Sequence, residues 1–346
     1  MKKRFGGILL ALMMVLTACG SQGAASSAAA SSEPAQSGAA VSEPAQSDVA
    51  PEMAEDDYVA KVASMKGPTS IGMAELMCSD TADFSFEMFT EGSEIVPLMV
   101  KGEIDIALIP ANLAATLYQK TEGGVEVIGI NTLGVLDVVA PASMEIASFA
   151  DLAGKTIYMT GKGTTPESAV RYLTEKYGME DLNIEFQSEA TAVVSALTAN
   201  QDAVAILPQP FATVAKVQNE GMEIKLSLTD AWNEISDDGS SLVTGVTVVR
   251  KAFAEEHSAR LAQFIDESAD SVAYVNANVE EAASLVESLD IVKAAVGKQA
   301  IPRCNLVSII GEEMQEKLSG YLNALYEFDP SLVGGQLPDE EFYYIP

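Results

Sequence analysis

From residue 59 onwards, short apolar or β-branched runs alternate with stretches of helical periodicity. The runs predict strands at 59–66, 84–89, 104–110, 125–130, 135–140, 155–160, 183–186, 203–207, 223–228 and 243–250. Between 166 and 177 the residues Ala169, Val170, Leu173 and Tyr177 share one helical face, and Thr164-Thr165-Pro166 supplies a cap with an early proline. The last hundred residues read as mostly helical, with amphipathic candidates at 253–278, 279–289 and 311–326. Strands alternating with helices predict an α/β chain whose sheets carry helices on both faces.

The pattern repeats. Displaced by 98 positions, residues 95–110 fall on residues 193–208 without a gap, and apolar matches apolar at most positions. Upstream, Lys66-Gly67-Pro68-Thr69 falls on Lys162-Gly163-Thr164-Thr165 at an offset of 96, each after a strand and before a helix. Two matches in the same order at nearly the same offset predict two α/β lobes of similar plan.

Ligands of such sheets sit beyond the carboxyl ends of the strands. In the first lobe these ends are 67–70, 111–112 and 131–132, and in the second they are 161–165, 188–191 and 209. They are rich in Gly, Thr, Ser, Asn and Gln, so they offer backbone N–H groups and neutral donors, and some open helices whose N-termini favour negative or polar groups. Lys66 and Lys162 either add positive charge there or are solvated surface side chains.

The N-terminal segment predicts the compartment. Lys2, Lys3 and Arg4 precede an unbroken apolar run of nine residues, Ile8 to Leu16, too short to span a bilayer but suited to a signal peptide. Leu16-Thr17-Ala18-Cys19 resembles the bacterial lipobox, which implies a signal peptide at 1–18 and acylation of Cys19. The lipid is then the only predicted membrane anchor. Residues 19–57 are dominated by Ser, Ala, Gly, Gln, Pro and Glu, and Ser-Glu-Pro-Ala-Gln-Ser occurs at 32–37 and again at 42–47. Such a stretch buries too little apolar surface to offset its ordering entropy, and it reads as a disordered tether.

Composition removes several classes of function. With 50 acidic and 20 basic residues in 346 and a net charge of −30, the chain lacks the Lys and Arg excess that phosphate recognition needs, so no nucleic-acid partner is expected. His257 is the only histidine. That disfavours histidine-ligated metal sites and Ser-His or Cys-His catalysis, and no Asp-x-Asp-x-Asp loop suggests calcium. No metal and no cofactor is expected. An adhesin built of extended β repeats is not indicated.

The local wording resembles a known family. Gly67-Pro68-Thr69, Gly102-Glu103-Ile104-Asp105-Ile106-Ala107, Pro110-Ala111-Asn112, Asp151-Leu152-Ala153-Gly154-Lys155-Thr156-Ile157, Pro208-Gln209-Pro210 and Thr244-Gly245-Val246 are similar to substrate-binding lipoproteins of ABC importers, in the nitrate/sulfonate/taurine and pyrimidine-precursor branch. The resemblance implies a type II periplasmic-binding-protein fold, with lobe 1 at 58–143 and 245–346, lobe 2 at 144–244, and crossings near Pro141 and near Thr244-Gly245. Each lobe would be a mixed, mostly parallel sheet flanked by helices, with the ligand cleft between the lobes. The implied protein is a monomer lipid-anchored at Cys19 on the extracytoplasmic face of the bacterial cell membrane. It would capture a small polar organic solute, either a sulfonate- or taurine-like anion or a pyrimidine-like precursor, and deliver it to an ABC permease and its ATPase.

The ligand-binding residues so implied are Lys66, Pro68, Thr69, Ser70, Asn112 and Thr132 from lobe 1, and Lys162, Gly163, Thr164, Thr165, Glu189, Gln209 and Thr244 from lobe 2. Glu189 would accept from a ligand N–H or would be an exposed carboxylate at a helix start. The alternatives are a same-fold enzyme of pyrimidine or thiamine-precursor metabolism and a transporter-independent surface receptor. Enzymatic relatives need, by the same resemblance, a cysteine cluster and active-site histidines. Here the nearest two cysteines are 59 positions apart, and His257 in Glu255-Glu256-His257-Ser258 reads as a solvated helix start, so no catalytic residue is assigned. Cys78 and Cys304 read as buried free thiols, with a disulfide as the alternative. Trp232, the sole tryptophan, reads as core or hinge packing.

Overall fold

The computed structural model describes residues 57–346 except positions 181 and 201. The expected signal peptide at 1–18, the acylated Cys19 and all but the last residue of the 19–57 tether lie outside the described residues. In chain order the elements are β1 (Ala60–Met65), α1 (Pro68–Ile71), α2 (Ala74–Cys78), β2 (Phe84–Phe89), α3 (Gly92–Lys101), β3 (Ile106–Pro110), α4 (Ala111–Lys120) and β4 (Val125–Leu133). There follow β5 (Leu136–Pro141), β6 (Thr156–Met159), α5 (Thr165–Lys176), β7 (Asn183–Phe186), α6 (Ala190–Ala199), β8 (Val204–Pro208), α7 (Phe211–Gln218), β9 (Met222–Ser227) and α8 (Leu228–Ile235). The last part holds β10 (Val243–Arg250), α9 (Lys251–Glu256), α10 (Ser258–Ala277), α11 (Val279–Ser288), α12 (Ala294–Ala300), β11 (Leu306–Ile309) and α13 (Gly311–Phe328).

Two sheets organise these elements. Lobe 1 has the order β11-β4-β10-β3-β1-β2, and lobe 2 has β7-β6-β8-β5-β9. In lobe 1, β1 pairs parallel with β2 and β3, while β10 lies antiparallel between β3 and β4. In lobe 2, β6 pairs parallel with β7 and β8, while β5 lies antiparallel between β8 and β9. The plan is the same, with β10 and β5 in equivalent places. Each of these antiparallel strands is reached directly from the other lobe: β5 follows β4, and β10 follows α8 after β9. The lobes have exchanged one strand.

The repeat survives in coordinates. α3 begins at 92 and α6 at 190, and β3 covers 106–110 where β8 covers 204–208, so both elements keep the 98-residue offset at both ends. Local chemistry closes α3 firmly. The Glu94 carboxylate accepts from the Glu91 N–H at 2.9 Å, and Gly102 ends the helix at φ 72°, a left-handed conformation that costs glycine little.

Several expectations change. β5 pairs with β8 and β9, so the first crossing is at Gly134-Val135 and not near Pro141. The return precedes β10, which starts at Val243, and is therefore complete before Thr244-Gly245. The helix expected over 253–278 is two helices, broken at His257, whose φ of −130° is not helical. The His257 ring is half-buried and stacks on Tyr58 at 4.2 Å, so it is not simply a solvated helix start.

Apolar faces of both sheets are sealed by the flanking helices. Phe149, Trp232, Phe253, Phe264 and Phe342 are fully buried, and each such side chain contributes roughly 2–3 kcal/mol by leaving water. Cys304 is buried, but Cys78 is exposed, contrary to expectation; both are free thiols. Among the described residues no helix is long and apolar enough to cross a membrane.

Candidate functional site

Where the two crossings meet, the lobes enclose a cavity of about 180 Å³. Gly134, Val135 and Leu136 wall it from the first crossing, and Leu242, Val243 and Thr244 from the second. Pro110 and Pro208, equivalent positions of the repeat, close it at the ends of β3 and β8. Asn112 reaches it from the first turn of α4, and Thr165, Pro166 and Ala169 from the first turns of α5. Tyr321 of α13 completes the wall. The surface is mostly apolar with polar points at Asn112, Thr165 and Thr244, an arrangement that holds a compact organic body and orients it by few hydrogen bonds.

The first crossing is pinned from both lobes. The Gly134 carbonyl accepts from Thr229 Oγ1 of α8 at 2.9 Å and from Asn305 Nδ2 of lobe 1 at 2.6 Å. A Cβ at Gly134 would stand 2.3 Å from Thr229 Oγ1 and 2.8 Å from Leu242 Cβ, so glycine is required by close approach. Tyr321 also meets Trp232 edge to face at 5.9 Å, while Trp232 stacks on Tyr172 at 4.0 Å and donates its Nε1–H to Ser240 Oγ at 3.1 Å. The aromatic cluster therefore joins α13 of lobe 1 to α5 and α8 of lobe 2 beside the cavity.

Of the residues expected at the site, Asn112, Thr165 and Thr244 line this cavity. The others do not. Thr69 is buried and donates its hydroxyl to the Met65 carbonyl at 3.1 Å. Ser70 is fully buried and bonds Ser64 Oγ at 2.8 Å and the Met65 carbonyl. Thr132, also buried, donates to Asn131 Oδ1 at 2.9 Å. Short hydroxyl side chains at these strand ends satisfy nearby groups of their own lobe first. Pro68 is half-buried at the start of α1 and away from the cavity.

In lobe 2, Lys162, Gly163, Thr164 and Glu189 are exposed. The Gly163 N–H is taken by Glu167 Oε2 at 2.8 Å, and Thr164 Oγ1 donates to the Gly161 carbonyl at 2.7 Å. Glu189 stands at the N-cap of α6. Lys162 Nζ lies 5.8 Å from the centre of the Phe186 ring, and Lys66 pairs with Asp290 Oδ2 at 3.1 Å. Neither lysine lines the cavity. Gln209 is buried and bonds Asp137 and Thr213 instead of facing the cavity.

Sequence reasoning missed the apolar wall and Asp137. Asp137 is 3% exposed on β5, and its Oδ2 accepts from Gln209 Nε2 at 2.6 Å. Burial raises its pKa to about 6, while the Gln209 bond and the charge of Arg303 oppose the rise and Asp230 adds to it. Burial likewise pushes the Cys304 thiol up to about 12, with Asp137 adding to the rise. A lone carboxylate within the apolar run 135–140 was the available signal.

Two lobes that exchange a strand at a double crossing and leave a cavity there have the two-lobed type II periplasmic-binding-protein fold. The chain belongs to the NMT1/THI5-like family, whose model matches residues 83–282. It is similar to an ABC transporter structure from Parabacteroides distasonis, with a TM-score of 0.70, 23% identity, and coverage of 84% of this chain and 99% of that one. It is similar also to the periplasmic aliphatic sulphonate binding protein SsuA from Escherichia coli, with a TM-score of 0.66, 14% identity, and coverage of 84% and 93%. The alkanesulfonate-binding protein SsuA from Xanthomonas axonopodis pv. citri, bound to MOPS, gives a TM-score of 0.55, 14% identity, and coverage of 83% and 96%. No curated protein matches the chain.

Proposed function

We propose that the protein is the solute-binding component of an ABC importer, anchored by acylated Cys19 on the extracytoplasmic face of the bacterial cell membrane and acting as a monomer. The observation that carries this reading is the cavity at the double crossing, walled by both lobes. A solute held there touches both lobes at once, so it stabilises the closed arrangement over an open one, and the crossings serve as the hinge. The closed form then docks on a membrane permease driven by its ATPase. Sulfonate-binding neighbours of the same fold support this reading.

The wall also narrows the solute. The cavity-lining residues include no Lys, Arg, His, Asp, Glu or Cys, which favours binding over catalysis and a compact, largely uncharged body over a bare anion. Asn112, Thr165 and Thr244 supply its orienting contacts. A thermal-shift screen of the purified protein with sulfonates, nitrate, pyrimidines, amino acids and sugars tests the reading. A true solute at 100 times its dissociation constant adds about 2.7 kcal/mol of stability. If nothing in the panel shifts the transition of a folded sample, the importer reading fails. Turnover of a pyrimidine precursor in a steady-state assay would replace it with the enzyme reading.

A further inference from the structure

A polar atom taken out of water normally finds a partner, and one that has none asks for an explanation. The wall of the interlobe cavity holds such an atom. Tyr321 is 5% exposed and lines the cavity from α13. Among the described residues its hydroxyl makes no hydrogen bond, yet the oxygen is not sealed among apolar atoms. With the rest of the residue covered, the cavity that it lines is where this oxygen is open.

The ring is held from two sides. Gly320, the residue before it, lies inside α13, where glycine is unfavourable. A Cβ there would stand 2.4 Å from the Ser240 Cβ, so glycine lets α13 press against the loop 236–242. Ser240 Oγ accepts from Trp232 Nε1 at 3.1 Å, and Trp232 meets the Tyr321 ring edge to face at 5.9 Å. The hydroxyl takes no part in this packing. Three more polar side chains open on the same cavity, Asn112, Thr165 and Thr244. Among the described residues none of the three makes a side-chain hydrogen bond either. All four can donate and none is charged. Burial holds the Tyr321 phenol above its ordinary 10.0, so it keeps its proton at neutral pH.

We propose that Tyr321 is a ligand-recognition residue whose hydroxyl donates a hydrogen bond to the solute, and that the solute class is a compact, uncharged body carrying a carbonyl oxygen or an unprotonated ring nitrogen. The inference rests on the solute-binding reading of the cavity. The ring is already fixed, so little side-chain freedom is lost when the solute arrives. A solute without an acceptor shuts the hydroxyl away unpaired, and this discriminates more strongly than a missing apolar contact does.

Calorimetric titration of the purified full-length protein tests this with two matched pairs of probes. Pyrimidine is set against benzene, and cyclopentanone against methylidenecyclopentane, which has a CH2 for the oxygen. Every member of the wider screening panel that binds is titrated alongside. In the wild type the acceptor-bearing member of at least one pair is expected to bind at least about tenfold tighter than its partner. Tyr321→Phe removes one oxygen and keeps the ring against Trp232. It should leave the Tm of the unliganded protein unchanged, weaken the acceptor-bearing member about fivefold to tenfold, and keep its partner within about twofold. If the wild type binds both members of each pair equally, or Tyr321→Phe leaves every binder within about twofold of wild type, the Tyr321 assignment is wrong while solute binding stands. A clear fall in the unliganded Tm makes the hydroxyl structural and overturns the assignment too. Binding confined to sulfonates or nitrate overturns the solute class. If neither these probes nor the panel binds, the solute-binding reading fails and this inference with it.

Discussion

Replacing Asp137 by Asn should make the protein more stable at neutral pH. In the fold this carboxyl is 3% exposed and its pKa rises from 3.8 to about 6, chiefly through burial. At about 1.4 kcal/mol per pH unit, the rise costs the folded state about 3 kcal/mol once the group is ionised. Below pH 3.8 the carboxyl is neutral in folded and unfolded chains alike, and no cost applies. Between 3.8 and about 6 the unfolded chain ionises first, so this group's contribution falls as pH rises; above about 6 the full cost is present. Asn keeps the volume, and its carbonyl oxygen still accepts from Gln209 Nε2. Calorimetry from pH 4 to 8 should show Asp137→Asn about 1–3 kcal/mol more stable than wild type at pH 7.5, or roughly 3–10 °C in Tm. The gap should close towards pH 4. A gap of the same size at pH 4.5 and 7.5, or a variant less stable than wild type at pH 7.5, would refute the reasoning.

Three further outcomes follow from the geometry. Asn112→Ala and Thr165→Ala should each weaken solute binding by about tenfold in titrations with little change in Tm, whereas Lys66→Ala and Lys162→Ala should leave affinity within about twofold, since neither lysine lines the cavity. Gly134→Ala should cost about 1–3 kcal/mol in urea unfolding, because its Cβ would stand 2.3 Å from Thr229 Oγ1; an unchanged midpoint would show that the crossing relaxes freely. A thiol reagent at pH 8 should modify exposed Cys78 in the native protein but reach Cys304, buried and raised to about 12, only after unfolding.

The repeat was legible in the sequence because helix and strand periodicities are local, and α3–β3 and α6–β8 carry the same pattern at one offset. The strand exchange was not. Nothing in the run 136–141 says whether its partner is β3 or β8; the choice is made by residues far along the chain, and β5 was accordingly placed in the wrong lobe. β11 escaped notice because four residues carry too little alternation to separate a strand from a loop. The site was legible only in part. Strand ends were the right place to look, yet a hydroxyl there cannot be told from sequence to face a ligand rather than its own backbone, and Thr69, Ser70 and Thr132 face inward. Tyr321 comes to the cavity from a helix nearly two hundred residues beyond the first crossing, a contact that no local pattern encodes.

Charge and symmetry together bear on the solute. Seven acidic residues fall within 20–57 (Glu33, Glu43, Asp48, Glu52, Glu55, Asp56 and Asp57), so most of the net −30 belongs to residues 58–346. Such a field opposes an approaching anion beyond roughly 10 Å at low salt and is screened within that distance at higher salt. Were the solute a bare anion, the cleft would need local positive charge to overcome the field, yet Lys66 is paired with Asp290 and Lys162 lies against Phe186. The lobes are alike in backbone, and at one matched strand position lobe 2 has Asp137 where lobe 1 has Val246. The long-range field and the lack of charged side chains among the cavity-lining residues both disfavour a bare anion.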